Sequence, residues 1–156
     1  MRRRRRIGVG VVSVMLTGLA MLVPAPAPGR AQTALARAEA QQAPGVRVEV
    51  RELKRTSGDT LTLRAVVVND SDQKFKVAEG TSLSVPRIYL LDTANRRKYT
   101  VVRDEKAKCI CSPSPVVKAK SQAEIWAKFG APPEGVQKLT VVIPQFAPLE
   151  NVPIRQ

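Results

Sequence analysis

The 156-residue chain carries 26 Lys and Arg against 13 Asp and Glu, has two cysteines and contains no histidine. The missing imidazole excludes Ser-His-Asp triads, Cys-His dyads and histidine metal ligation, and leaves Cys, Ser, Lys, Tyr and carboxylates as the available nucleophiles and bases. The length suits one domain of ordinary size beside a targeting segment.

Arg2–Arg6 form a positive cluster, and the uncharged apolar run from Ile7 to Val23 ends at the helix-breaking Pro24. That is the layout of an export signal. With Gly8, Gly10 and Gly18 discounted, the run falls short of the about 20 strongly apolar residues that a spanning helix needs. Gly29 and Ala31 supply the small residues required before a cut, so residues 1–31 read as a signal peptide and Gln32 as the mature start. A retained anchor is the alternative, and the arginine run leaves the twin-arginine route open. No cysteine sits near the cut to carry a lipid. The expected address is secreted or periplasmic, in the cell envelope, with no membrane span after cleavage.

Loss of Arg2–Arg6 and Arg30 with the signal leaves 20 basic against 13 acidic residues, a surplus of +7. Such a surplus favours a protein or anionic envelope component as partner. Nucleic acid is disfavoured, because no basic patch is interleaved with stacking aromatics.

Residues 32–45 are rich in Ala, Gln and Pro, show no helical apolar stripe, and read as a flexible linker. From residue 46 the chain reads as strands. Val46, Val48 and Val50 alternate with Arg47, Glu49 and Arg51, the period of two of a half-buried strand. TSGD turns the chain, and Thr60–Val68 places Leu61, Leu63, Ala65 and Val67 on one face. NDSD turns again, before a short strand around Phe75 and Val77. Arg87–Asp92 and Lys98–Arg103 form a hairpin about TANRR. Ser121–Phe129 alternates Ala123, Ile125, Ala127 and Phe129 against polar positions and Trp126; APPEG then turns into Val136–Pro144. Seven short strands and no amphipathic helix predict an all-β antiparallel sandwich over residues 46–156, with a small open barrel as its competitor.

The run IYLLDTANRRKYTVVRDEKAKCICS, followed by AEIWAKFGAPPEGVQKLTVVIPQFAPLENVPI, resembles a group of bacterial exported immunoglobulin-like domains. The shared elements are a Lys-Tyr hairpin, a Cys-x-Cys-Ser stretch, an Ala-Pro-Pro hairpin and a Val-Pro tail. The group is similar in architecture to secreted mycobacterial-type immunoglobulin-like antigens, and some members precede an OmpA-like anchoring domain, which is not expected here. The resemblance implies an immunoglobulin-like sandwich and an envelope address. It carries no activity.

Cys109 and Cys111 would lie about 6.6 Å apart in an extended strand, so a bridge between them requires the backbone to bend at Ile110. Pro113 and Pro115 favour such an irregular segment. In an oxidising compartment a disulfide is the expected state. A strained, reducible pair activated by Lys106, Lys108 and Lys118 is the redox alternative, and a metal site is the weakest, since two sulfurs leave it half empty. No cofactor is expected.

Asn69-Asp70-Ser71-Asp72 begins like a calcium loop, yet Lys74 and Phe75 break the pattern and a plain turn is expected. It is also a glycosylation triplet. Arg96, Arg97, Lys98, Lys106, Lys108, Lys118, Lys120 and Lys128 are candidates for binding an anionic surface, against the simpler reading of a scattered solvated face. Trp126, opposite in parity to Ile125, is expected to pack on a covered sheet face.

Overall fold

Alternating apolar and polar side chains bury one face of an extended backbone, and the chain uses that state throughout. The computed structural model describes residues 33–56, 59–77 and 87–156. Its strands are β1 (Ala36–Glu39), β2 (Val46–Thr56), β3 (Thr60–Asn69), β4 (Phe75–Lys76), β5 (Tyr89–Asp92), β6 (Arg97–Thr100), β7 (Val116–Val117), β8 (Ser121–Gly130), β9 (Lys138–Val142) and β10 (Leu149–Pro153). Among the described residues there is no helix, and the signal expected over residues 1–31 lies outside them.

Two four-stranded antiparallel sheets run β1-β2-β3-β8 and β10-β9-β5-β6, and β4 pairs with β7. The β3–β8 register is unbroken from Thr60 opposite Gly130 to Asn69 opposite Ser121. Leu61, Leu63, Ala65 and Val67 of β3 meet Ile125, Ala127 and Phe129 of β8 on one face, all 0% exposed. Leu90, Leu139, Val141, Leu149 and Val152 of the second sheet join the same buried cluster.

A bulge between Val50 and Glu52 inserts one residue into β2. This flips the parity of the strand, so that Val46, Val48, Val50 and Leu53 all reach the core although an even alternation would turn Leu53 outward.

The all-β class is as expected, with ten strands among the described residues instead of seven. The linker expected over residues 32–45 is corrected: Ala36–Glu39 pairs with Val50–Arg47, held also by Leu35 N–H to Val50 O at 2.7 Å and Ala40 N–H to Val46 O at 2.8 Å. Ala36 and Ala38 pack their methyl groups against the core at strand spacing, where a helical stripe is the wrong period to seek. The segment Lys98–Arg103 also divides. Arg97–Thr100 pairs with β5, whereas Val101 lies opposite Phe129 of β8, so the chain passes from one sheet to the other within a single extended run.

The end of β3 is fixed by Asn69, which is 0% exposed. Its Nδ2 donates to the carbonyls of Gln73 (2.7 Å), Val117 (3.2 Å) and Lys118 (3.1 Å), and its Oδ1 accepts from Ser71 N–H (3.1 Å) and Ser71 Oγ (2.6 Å). One carboxamide thereby ties the NDSD turn to the β7–β8 connection. Asn69→Ala strands several buried backbone groups and is expected to cost about 2–3 kcal/mol, measured as a lower urea midpoint with an unchanged slope.

Candidate functional site

The cysteine segment lies along the outer edge of β8. Val102 N–H donates to Lys128 O at 2.8 Å, after which the chain leaves the edge as a hairpin over Arg103–Cys109. Asp104 organises that hairpin by accepting the backbone N–H groups of Lys106 (2.9 Å) and Lys108 (2.8 Å) on Oδ1. Ala107 takes a positive φ of 58°, and Arg103 caps its carbonyl at 2.7 Å. The chain rejoins the edge where Ile110 O accepts Lys128 N–H at 2.9 Å and Ser112 N–H donates to Trp126 O at 2.8 Å.

Cys109 and Cys111 are joined by a disulfide with a Cα separation of 5.3 Å, shorter than an extended pair. The bend at Ile110 that the bridge demands is present, and Ile110 N–H folds back onto Val102 O at 2.8 Å. Both cysteines are half-buried and pack against the core, and neither is left as a thiol or as a metal ligand. Loop-closure entropy for so small a ring is slight. Replacing both cysteines by alanine is accordingly expected to lower unfolding stability by only about 1.5 kcal/mol.

The basic residues singled out in the sequence are spread over several elements. Arg96, Arg97 and Lys98 lie at the β5–β6 turn, and Lys106 and Lys108 lie in the edge hairpin. Lys118 and Lys120 lie at the opposite end of β8 from Lys128. Lys120 Nζ donates to Asp70 O at 2.7 Å and meets Asp72 at 3.0 Å, so the acidic turn expected to resemble a calcium loop is occupied by an ammonium group. Asn69, with its amide inside the fold, is not presented for glycosylation. Trp126 is half-buried beside its Cα partner Arg64 on the sheet face opposite Ile125.

A charge cluster not singled out from the sequence sits on the polar face of β2. Glu49 is 3% exposed beneath Arg37, its Cα partner on β1, and beneath Arg47 and Arg51. Arg47 Nε donates to Oε1 at 3.0 Å, Arg37 Nε lies at 3.5 Å, and Arg51 engages Oε2. Arg47 also pairs with Asp70. The Arg47, Glu49 and Arg51 alternation was visible as a polar face, but Arg37 arrives only because β1 is a strand. Burial pushes the Glu49 carboxyl up, while the Arg47 hydrogen bond and the charges of Arg51, Arg37 and Arg47 outweigh it and hold the group below its ordinary 4.5.

A groove of about 650 Å³ opens on the second sheet between the β5–β6 turn and the Pro133–Lys138 segment. Leu91 and Thr140, Cα partners across β5 and β9, lie along it with Arg97, Lys138, Gln137 and Asn151. The adjoining APPEG turn is fixed by Arg55, whose guanidinium donates to the carbonyls of Pro132 (2.7 Å) and Pro133 (2.9 Å). Beyond the groove, Lys98 Nζ stands 4.0 Å over the Tyr89 ring, a cation–π pair.

Comparison with protein-family models, with curated proteins and with solved structures finds no match for this chain.

Because the folded Glu49 carboxyl titrates below its unfolded value, its stabilisation is whole above pH 4.5 and is lost as pH falls through the folded value. Glu49→Gln is expected to cost about 2 kcal/mol at neutral pH, and the gap to the unsubstituted protein should close on acidification in urea titrations.

Proposed function

We propose that this chain is an exported, non-catalytic immunoglobulin-like module that binds or supports an anionic component of a bacterial envelope or of the extracellular space. The observation that carries this reading is the closure of Cys109 on Cys111 within a hydrogen-bonded edge segment. The most reactive side chains of a histidine-free sequence are thereby spent on shaping a loop. Two four-stranded antiparallel sheets sharing one buried cluster are what an immunoglobulin-like sandwich requires, and the Cys-x-Cys-Ser and Ala-Pro-Pro segments support the same assignment. The arginine-led apolar run at the amino terminus supports export, and the basic surplus supports an acidic partner.

Thiol–disulfide exchange is the competing function, favoured by the position of the pair at a sheet edge beside exposed Lys106 and Lys108. The purified protein is expected to show no free thiol before reduction and no turnover in an insulin-disulfide reduction assay. Turnover that disappears in Cys109→Ser would replace the binding module with a redox protein.

A further inference from the structure

The basic residues fall into two classes by their neighbours. Arg37, Arg47, Arg51, Arg64 and Lys120 each have a carboxylate within 4.0 Å. Among the described residues no ion pair engages Arg97 or Lys138, and both line the groove on the second sheet. The groove's one carboxylate, Asp92, is 4% exposed and committed to its own turn: Oδ1 accepts Asn95 N–H at 3.1 Å and Oδ2 accepts Asn95 Nδ2 at 2.7 Å. The lining is therefore cationic, although exposed Glu134 stands in the turn that bounds it.

The remaining lining decides what kind of anion fits. Gln137 and Asn151 bring carboxamides that both donate and accept, Thr140 brings a hydroxyl, and Leu91 brings an apolar surface. Asn151 stands at a bulge in β10 with a positive φ of 55°, a left-handed state that asparagine tolerates better than most residues. Such a mixed set matches a sugar ring, with hydroxyl edges and C–H faces, better than a purely ionic or purely apolar ligand. A peptide is disfavoured by topology. Extended peptides usually recognise a sheet by adding a strand to a free edge, but β5 is already paired with β6 and β9, and β9 with β5 and β10. β6 and β10, the edge strands of this sheet, give the groove one residue each, Arg97 and Asn151, while β5 and β9 supply the rest of its strand residues. Its volume lies in the about 300–1,000 Å³ range of small-ligand sites, enough for a short oligomer.

We propose that this groove is a binding site for an acidic polysaccharide, with Arg97 and Lys138 engaging carboxylates of uronic-acid type and Gln137, Thr140 and Asn151 reading hydroxyl groups. The site rests on the binding-module reading and specifies where and what that module binds. Of the basic residues singled out in the sequence it uses Arg97, and it adds Lys138.

Calorimetric titration of the purified protein with an oligogalacturonate of defined length tests the site, with a neutral cello-oligosaccharide and poly-glutamate as comparisons. Saturable binding of the oligogalacturonate is expected, weakening as salt rises. Arg97→Ala and Lys138→Ala should each weaken it about tenfold, the loss of one charge-assisted hydrogen bond, while Lys106→Ala with Lys108→Ala leaves it unchanged. Circular dichroism and urea midpoints matching the unsubstituted protein would show that both groove variants are folded. Absent binding, equal weakening by the hairpin lysine variants, or equally tight binding of poly-glutamate would each overturn the assignment. These outcomes are separate from insulin reduction: a redox-inactive protein that ignores the oligogalacturonate loses the groove and keeps the module.

Discussion

Strand β3 is hydrogen-bonded along its whole length on both sides, to β2 and to β8, while every second side chain from Leu61 to Val67 is excluded from water. A one-residue slip in either pairing would turn that apolar row outward. The four side chains together bury enough apolar surface to make such a slip cost several kcal/mol, at about 1.5–3 kcal/mol for a fully buried aliphatic side chain. The register of the first sheet follows from this constraint. So does the position of everything hung on it: the cysteine hairpin on the β8 edge, Arg55 beneath the APPEG turn, and Asn69 at the strand's end.

The parts of the fold that obey a strict period of two are legible in the sequence, and the parts that break it are not. β3 and β8 are readable because Leu61–Val67 and Ala123–Phe129 alternate without interruption. β10 hides because its buried residues, Leu149 and Val152, are three positions apart and become coplanar only through a bulge. β1 hides for a different reason. Alanine carries little β propensity, and its small methyl signals a core face only when a partner strand is already in place. The cysteine bridge was readable from the closeness in sequence of Cys109 and Cys111, the two cysteines of the chain. The groove was not, because it joins a turn near residue 95 to a segment near residue 137, a juxtaposition that belongs to sheet order.

Charge on this molecule is arranged more tightly than its net surplus suggests. On β2 three guanidinium groups share the Glu49 carboxylate, which is shielded from solvent by the side chains that neutralise it. At the NDSD turn, Lys120 Nζ engages the Asp70 carbonyl and the Asp72 carboxylate. These local balances leave unanswered cations to define a surface, so the position of compensated charge carries as much information as the count of charges.

The residues that follow β10 close the fold in a way that has a temporal side. Arg55 N–H donates to Arg155 O at 2.9 Å and Arg155 N–H donates to Leu53 O at 2.7 Å, so a tail segment runs parallel to the far half of β2. The two partners are a hundred positions apart in the chain. A nascent polypeptide lengthening from its amino end thus exposes a stretch of Leu53–Arg55 edge until Arg155 has emerged. High contact order of this kind slows folding and prolongs the interval in which an unpaired strand can capture a neighbour. The adjacent basic residues Lys54 and Arg55 at that edge supply charge repulsion during the wait.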